Sequence, residues 1–324
     1  MTPSRRLWLS RSLCALAACT AFAASAQTGA AVKLLVGFPP GGGTDAVARV
    51  LAEPLREALG APVVVENKPG AGGQIAAQTL KAAPADGHTF FVSHDHTITI
   101  LPMVVKNPGY DSTRDFVPVA GFATFVNAFA VSGGTPAKSF DEYVAWVKSQ
   151  GARSNVGIPA PASTPEFLVQ LIGKRYGLDL VSVPYRGSAP MMADMLGNQI
   201  AAGVGSVPDF IENHKAGKLR VVAVLGGKRQ ATLPDVPTFS ELGLKGLEDM
   251  PYYGVFAPAG TPKAAVEKFS AALSKVLAQP AVRDRLTAMG LTVEFMTGAQ
   301  LAAREAAYRK TWAEIIEKSG FKPQ

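Results

Sequence analysis

Cysteine is nearly missing from this chain: there are 2, Cys14 and Cys19, and both fall within the first 26 residues. The remainder therefore has no disulfide framework, no thiol nucleophile and no cysteine-based metal site. Histidine is almost as scarce, with 4 in 324 residues, and no G-x-S-x-G elbow occurs. A hydrolytic triad has no recognisable parts to draw on. No uninterrupted apolar stretch reaches the roughly 20 residues that span a bilayer. Lys and Arg are scattered instead of gathered in dense blocks, which excludes the electrostatic footprint of a nucleic-acid binder.

What is present opens with an export signature. Arg5, Arg6 and Arg11 precede an apolar run over 13–24 that ends in Ala24-Ser25-Ala26, so 1–26 reads as a signal peptide cut at an A-x-A site. Ser4-Arg5-Arg6 also fits a twin-arginine signal beside the general secretory route, and Leu16-Ala17-Ala18-Cys19 resembles a lipoprotein box. Removing the segment takes three of the 32 basic residues, leaving 29 against 25 acidic ones, a net charge of +4 instead of +7. The 298 residues left after subtracting 26 from 324 are enough for two domains with a sizeable core.

Beyond the signal, one unit recurs: an apolar run, a Gly/Pro loop, then a helical pattern. Strands are predicted over 32–38, 62–66 and 89–93, with helices over 44–59 and 74–82 between them. After extended crossover segments in 115–134, the unit returns: strand 155–158, helix 164–176, strand 180–184, helix 189–196, strand 201–206, helix 208–216 and strand 219–225. A tail of strand 252–257, helices 262–277 and 280–289, strand 292–295 and helix 298–319 lacks strands for a third body and returns to the first. Alternation of this kind predicts an α/β protein with a mostly parallel sheet in each of two lobes. The lobes are placed at 27–124 with 251–324, and at 125–250, and the two crossings between them form a hinge.

Two loops share one layout: Phe38-Pro39-Pro40-Gly41-Gly42-Gly43-Thr44-Asp45 and Ile158-Pro159-Ala160-Pro161-Ala162-Ser163-Thr164-Pro165. Each leaves a strand through an apolar residue and a proline, and each puts a threonine, Thr44 or Thr164, where a helix N-cap belongs. Small residues expose backbone amides, and a helix start adds partial positive charge, so each loop is a candidate anion site. Loops at the carboxyl ends of sheet strands are where α/β proteins bind ligands. Facing one another, the pair suits an acid with one or more carboxylates, while Asp45 reads as a first-turn carboxylate that favours the helix dipole or meets a ligand amine.

A set of pieces runs in order nearly end to end: the Phe38-to-Asp45 loop, Glu66-Asn67-Lys68-Pro69-Gly70-Ala71-Gly72-Gly73, Ala85-Asp86-Gly87-His88-Thr89, Pro184-Tyr185-Arg186-Gly187, Gly217-Lys218-Leu219-Arg220 and Gly254-Val255-Phe256-Ala257-Pro258. In these pieces the chain resembles the Bug-type extracytoplasmic receptors of tripartite tricarboxylate transporters. The resemblance implies a Venus-flytrap fold, a periplasmic location, and delivery of ligand to a large and a small membrane subunit. It further implies that Pro40 to Gly43 and Ala162 to Thr164 hold a ligand carboxylate, partly through water, and that the ligand is a dicarboxylate, an amino acid or an aromatic acid. The chain departs from the pattern where relatives carry small polar residues, at Ser93-His94-Asp95-His96, and where relatives often carry an acid after Gly-x-Val, at Gly205-Ser206.

The ligand residues expected are therefore Phe38, Pro40, Gly41, Gly42, Gly43, Asp45, Ser93, His94, Asp95, Ala162, Ser163, Thr164, Tyr185, Arg186 and Ser206. Tyr185-Arg186 follows a strand end, where Arg186 is either a bidentate clamp on a carboxylate or a solvated side chain. His94-Asp95-His96, read as a strand with both histidines on one face, is a pocket wall, a self-satisfied loop or part of a metal site. A rival reading takes Gly41-x-Gly43-x-x-Ala46 with Glu66 as a dinucleotide fingerprint, making an oxidoreductase, but Pro39-Pro40 stiffens that turn. The reading favoured is a monomeric receptor, for uptake or for sensing, that uses no cofactor, binds no nucleic acid and alters no bond in its ligand.

Overall fold

The computed structural model describes residues 30–151, 153–246 and 248–323; the predicted signal, with both cysteines, lies outside them. In chain order the strands are β1 (Val32–Val36), β2 (Val63–Asn67), β3 (Thr89–His94), β4 (Phe116–Thr124), β5 (Asn127–Ser132), β6 (Arg153–Ile158), β7 (Asp179–Pro184), β8 (Ala202–Ser206), β9 (Leu219–Val224), β10 (Tyr252–Pro258) and β11 (Thr292–Thr297). They form two sheets, ordered β11-β4-β10-β3-β1-β2 and β7-β6-β8-β5-β9.

Each sheet is mixed, which corrects the expectation of mostly parallel sheets. The trios β2-β1-β3 and β7-β6-β8 are parallel, as helical crossovers require. Strands that border the passages between lobes are free of that constraint: β10 runs antiparallel to β3 and β4, and β5 antiparallel to β8 and β9. Both trios place a central strand, β1 or β6, so that its carboxyl end feeds one of the matched loops.

The near-continuous apolar run of β1 is buried on both faces, as expected of a strand covered on two sides. Leu34 and Val36 pack with Val47 and Leu51 of helix Gly43–Leu59, while Leu35 turns to Ala76, Leu80 and Trp312 on the opposite face. The second sheet divides in the same alternating way: Phe129 and Val131 of β5 meet Leu168 and Ile172, and Ala128 and Ala130 meet Met191 and Phe210.

Helix Gly298–Ser319 ties the tail to the first sheet through Leu301, Tyr308, Trp312 and Ile316. Its far end reaches the second lobe, where the Trp312 ring lies 5.5 Å from that of Phe167. The helix begins with a reciprocal cap, Gln300 N–H donating to Thr297 Oγ1 and Thr297 N–H to Gln300 Oε1. Replacing Thr297 with alanine removes one half of that box and is expected to lower stability by about 1 kcal/mol, read as a reduced urea midpoint with an unchanged slope.

Candidate functional site

The matched loops are built alike, though one residue out of the register expected from sequence. The N-caps are Gly42 and Ser163, both extended, so Thr44 and Thr164 are helical residues and not caps. Each cap follows a left-handed residue, Gly41 with φ 84° or Ala162 with φ 49°. Four residues on, a carboxylate turns back to accept that residue's amide: Asp45 from Gly41 at 2.9 Å, and Glu166 from Ala162. The true correspondence is Gly41 with Ala162 and Asp45 with Glu166.

This geometry changes what the glycine loop can offer. The Gly41 amide is held by Asp45, and the Gly43 amide donates at 2.9 Å to Asp209 Oδ1 from the second lobe. Asp209 is the third residue of helix Val207–Lys215, and its Oδ2 also accepts from Ser206 N and Oγ at 2.8 and 2.7 Å. Asp45 itself is buried and accepts from Arg49, Asn67 and Gly41. Burial raises its pKa, but those bonds outweigh the burial and hold the carboxyl below its usual range. The amides of Gly41 and Gly43 are thus committed within the chain, and Glu66 is paired with Lys68 at 2.7 Å, so the dinucleotide reading loses both its phosphate cradle and its ribose acid.

Between the sheets lies a cavity of about 50 Å³, room for a few water-sized groups. Four helices begin at its wall: Gly43–Leu59 through Thr44, Thr164–Tyr176 through Thr164 and Pro165, Ser188–Leu196 through Ser188, and Val207–Lys215 through Asp209. The first belongs to the first lobe and the other three to the second. Their partial positive ends converge on one small volume. Among the described residues, the amides of Ser163 and Thr164 have no hydrogen-bond acceptor in the chain.

Two polar side chains on the wall are buried without partners: Thr164 Oγ1 and both ring nitrogens of His96. Such atoms cost stability unless something supplies a hydrogen bond. Burial, reinforced by His94 and opposed by Asp95, pushes the His96 pKa down to about 4, so this ring is neutral at neutral pH. Part of the remaining wall is aromatic. His94 stacks on Phe38 at 5.0 Å and lies edge-on to Phe125 and Tyr253, whose own rings are 4.8 Å apart. Tyr253 OH and Thr44 Oγ1 are 3.2 Å apart; burial, and then the charge of Asp209, raises the phenol's pKa and keeps it protonated.

Residues 47–321 match the model of the tripartite tricarboxylate transporter family receptor. The chain belongs to this family. It is 31% identical to protein BugT of Bordetella pertussis over 90% of each chain. Among solved structures, periplasmic binding protein BugD is 33% identical, with a TM-score of 0.86 over 91% of this chain and 99% of that one. An R. palustris protein solved with adipate is 29% identical, with a TM-score of 0.85 over 90% of this chain and 98% of that one. The two-lobed periplasmic-binding-protein architecture follows from these likenesses together with the paired sheets.

Of the residues singled out from sequence, the receptor brings Phe38, His94, Asp95, Ser163, Thr164 and Ser206 to the cavity wall. Pro40 and Gly41 are exposed, and Gly42 is buried so close to the other lobe that a Cβ there would lie 2.9 Å from Ser188 Oγ. Gly43 faces Asp209, Ala162 joins the core with Phe167 and Trp312, and Ser93 is buried with an unpartnered hydroxyl away from the wall. Tyr185 donates to Asp194 at 2.7 Å. Arg186 is exposed and lines a second hollow with Gly37, Gly72 and Pro161 instead of this cavity.

The His94-Asp95-His96 cluster reaches the wall for a reason other than strand alternation. β3 ends at His94, and Asp95 is already helical, with φ −43° and ψ −44°. Asp95 is held by Tyr308 OH at 2.9 Å. Among the described residues no group of three or more His, Cys, Asp and Glu is placed to hold a metal ion. Thr44, Phe125, Asn127, Pro159, Ala160, Pro165, Ser188, Asp209 and Tyr253 also line the cavity and were not assigned to the site from sequence, and so does His96, for which a pocket wall was one of three readings. One had a legible signal: Ser206-x-x-Asp209 before an apolar run is a capping-box pattern.

Proposed function

We propose that this chain is a periplasmic receptor that closes on a small carboxylate, passes it to the membrane subunits of a tripartite tricarboxylate-type transporter, and catalyses no reaction. The observation that carries this reading is the convergence of helix starts from both lobes on one cavity, with unbonded amides at Ser163 and Thr164 and an unpartnered hydroxyl at Thr164. A carboxylate seated there accepts from groups that otherwise have no partner. The R. palustris relative solved with adipate supports an acid as the ligand class.

Two bodies, 27–124 with 251–324 and 125–250, would move about the crossings near 125–126 and 225–251. A ligand that contacts both favours the closed arrangement by its differential affinity. Export would remove residues 1–26, and the mature receptor is expected to be monomeric. Isothermal titration of the purified mature chain against aliphatic monoacids, dicarboxylates, amino acids and aromatic acids should find one-to-one binding to at least one. Absence of binding to every acid, or a nucleotide-cofactor absorbance in the purified protein, would sink the reading.

A further inference from the structure

We infer that the ligand of this cavity carries a positively charged nitrogen in addition to its carboxylate, the nitrogen lying against Asp209, Asp95 and the aromatic wall. The inference rests on the carboxylate reading and narrows it. Two carboxylates line the cavity, those of Asp95 and Asp209, and among the described residues no Lys or Arg does.

Asp209 is held by neutral donors only, Gly43 N, Ser206 N and Ser206 Oγ, while Asp95 accepts from Tyr308 OH and lies 3.3 Å from His94 Nδ1. Hydrogen bonds from neutral groups satisfy lone pairs but leave the charge of Asp209 in place. The arginines of the neighbouring helix are directed elsewhere, Arg304 to Asp249 and the Met250 carbonyl and Arg309 to Ser112 Oγ. His96 is neutral, so it does not offset that charge either. A purely anionic ligand would bring more negative charge to this wall at short range, where repulsion is strong. A positive nitrogen reverses the sign of that interaction.

The rings on the same wall act in the same direction. Phe38, Phe125 and Tyr253 present aromatic surface to the cavity, and ring faces attract cations, most of all where water is excluded. The carboxylate end then has its own place: the start of helix Thr164–Tyr176, where Thr164 Oγ1 is buried and unpartnered. The cavity wall thus offers donors for a carboxylate together with negative charge and aromatic surface for a positive nitrogen.

The test is a set of matched acids that differ only in charge at the far end. Glycine betaine is compared with 3,3-dimethylbutanoate, which replaces the quaternary nitrogen by carbon, and 4-aminobutanoate with pentanoate, which replaces the ammonium by methyl. By calorimetry at pH 7.5, at least one member with the positive nitrogen should bind about tenfold or more tightly than its partner without it. The pair that shows the larger ratio tells whether the nitrogen is quaternary or bears hydrogens. Asp209→Asn and Asp95→Asn, each confirmed as folded by thermal unfolding, should shrink that ratio several-fold. Equal binding within every pair, tighter binding of the members that lack the nitrogen, or binding only by acids without a positive nitrogen overturns the inference and leaves the carboxylate receptor standing. Failure of every carboxylate to bind overturns both.

Discussion

Replacing Gly43 with alanine is expected to weaken ligand binding by about tenfold or more while leaving the thermal midpoint unchanged or slightly raised. Gly43 is the first residue of its helix, where alanine is intrinsically preferred over glycine by up to about 1 kcal/mol. The lobe that carries it therefore has no reason to lose stability. Closure does: a Cβ at this position would stand 2.7 Å from Asp209 Oδ1 and 3.2 Å from Pro208 Cβ. Asp209 cannot swing aside freely, because its other oxygen is fixed by Ser206. The closed state would lose the Gly43–Asp209 bond, a charge-assisted contact of about 1.5–3 kcal/mol, equivalent to roughly tenfold to a hundredfold in affinity.

Gly41 supplies the contrast. Its φ of 84° is left-handed, yet a Cβ there would meet nothing within 4 Å, so Gly41→Ala should cost about 1 kcal/mol of stability through backbone strain without wedging the lobes apart. Titration calorimetry with the tightest acid from the panel, beside thermal unfolding of both variants, separates the two effects. Equal affinity for wild type and Gly43→Ala would show that the lobes do not need this approach to hold a ligand.

Much of the architecture was legible because punctuation is dense. Left-handed glycines end helices at Gly60 and Gly177, as a strong C-cap signal requires, and the helix expected over 164–176 is the one found, Thr164–Tyr176. The exit from β3 was not legible. His96-Thr97-Ile98-Thr99-Ile100 has the β-branched alternation of a strand, yet it forms a wide helical turn in which Leu101 N–H bonds His96 O. Long-range contacts impose it: Tyr110 OH donates to Thr97 O, Ser112 Oγ to Ile98 O, and Thr99 pairs with Tyr252. Local propensity gives way to such tertiary bonds.

The site was half legible for a similar reason. Sequence exposes loops and their small residues, and so it pointed to Ser163, Thr164 and Phe38. It does not expose which amides are already spoken for. Asp209 lies 166 residues from Gly43 along the chain, and only the packing of one lobe on the other reveals that its carboxylate occupies the amide that the glycine loop was expected to present. Phe125 and Asn127 reach the cavity because they flank the passage from β4 to β5, a position without a motif of its own.

The second large effect concerns pH, where two buried groups are expected to mask one another. Glu305 is buried with Oε1 unpartnered, and burial, only partly offset by Arg309, raises its pKa from 4.5 to about 7. As pH rises from 4.5 to 7, the unfolded chain releases this proton while the folded chain retains it, so the stability Glu305 contributes at low pH is lost through that window. His96 does the reverse. Its folded pKa falls from 6.5 to about 4, so the unfolded chain takes up a proton first as pH falls, and stability present above 6.5 is lost between 6.5 and 4. Each change corresponds to about 3 kcal/mol. His214, lowered by burial, adds to the second slope, and Asp249, raised by burial, to the first.

Wild-type stability should therefore vary little between pH 4.5 and 6.5, not because the interior is insensitive to protons but because opposite dependences cancel. Glu305→Gln removes one of them, and urea unfolding should then show stability rising with pH by about 3 kcal/mol across the window. His96→Gln should show a fall of similar size. Flat profiles in both variants would mean that neither group is as isolated from water as its burial indicates. A steep wild-type profile of either sign would instead identify which of the two dominates, since the surviving slope carries the sign of the group whose folded and unfolded pKa values lie further apart.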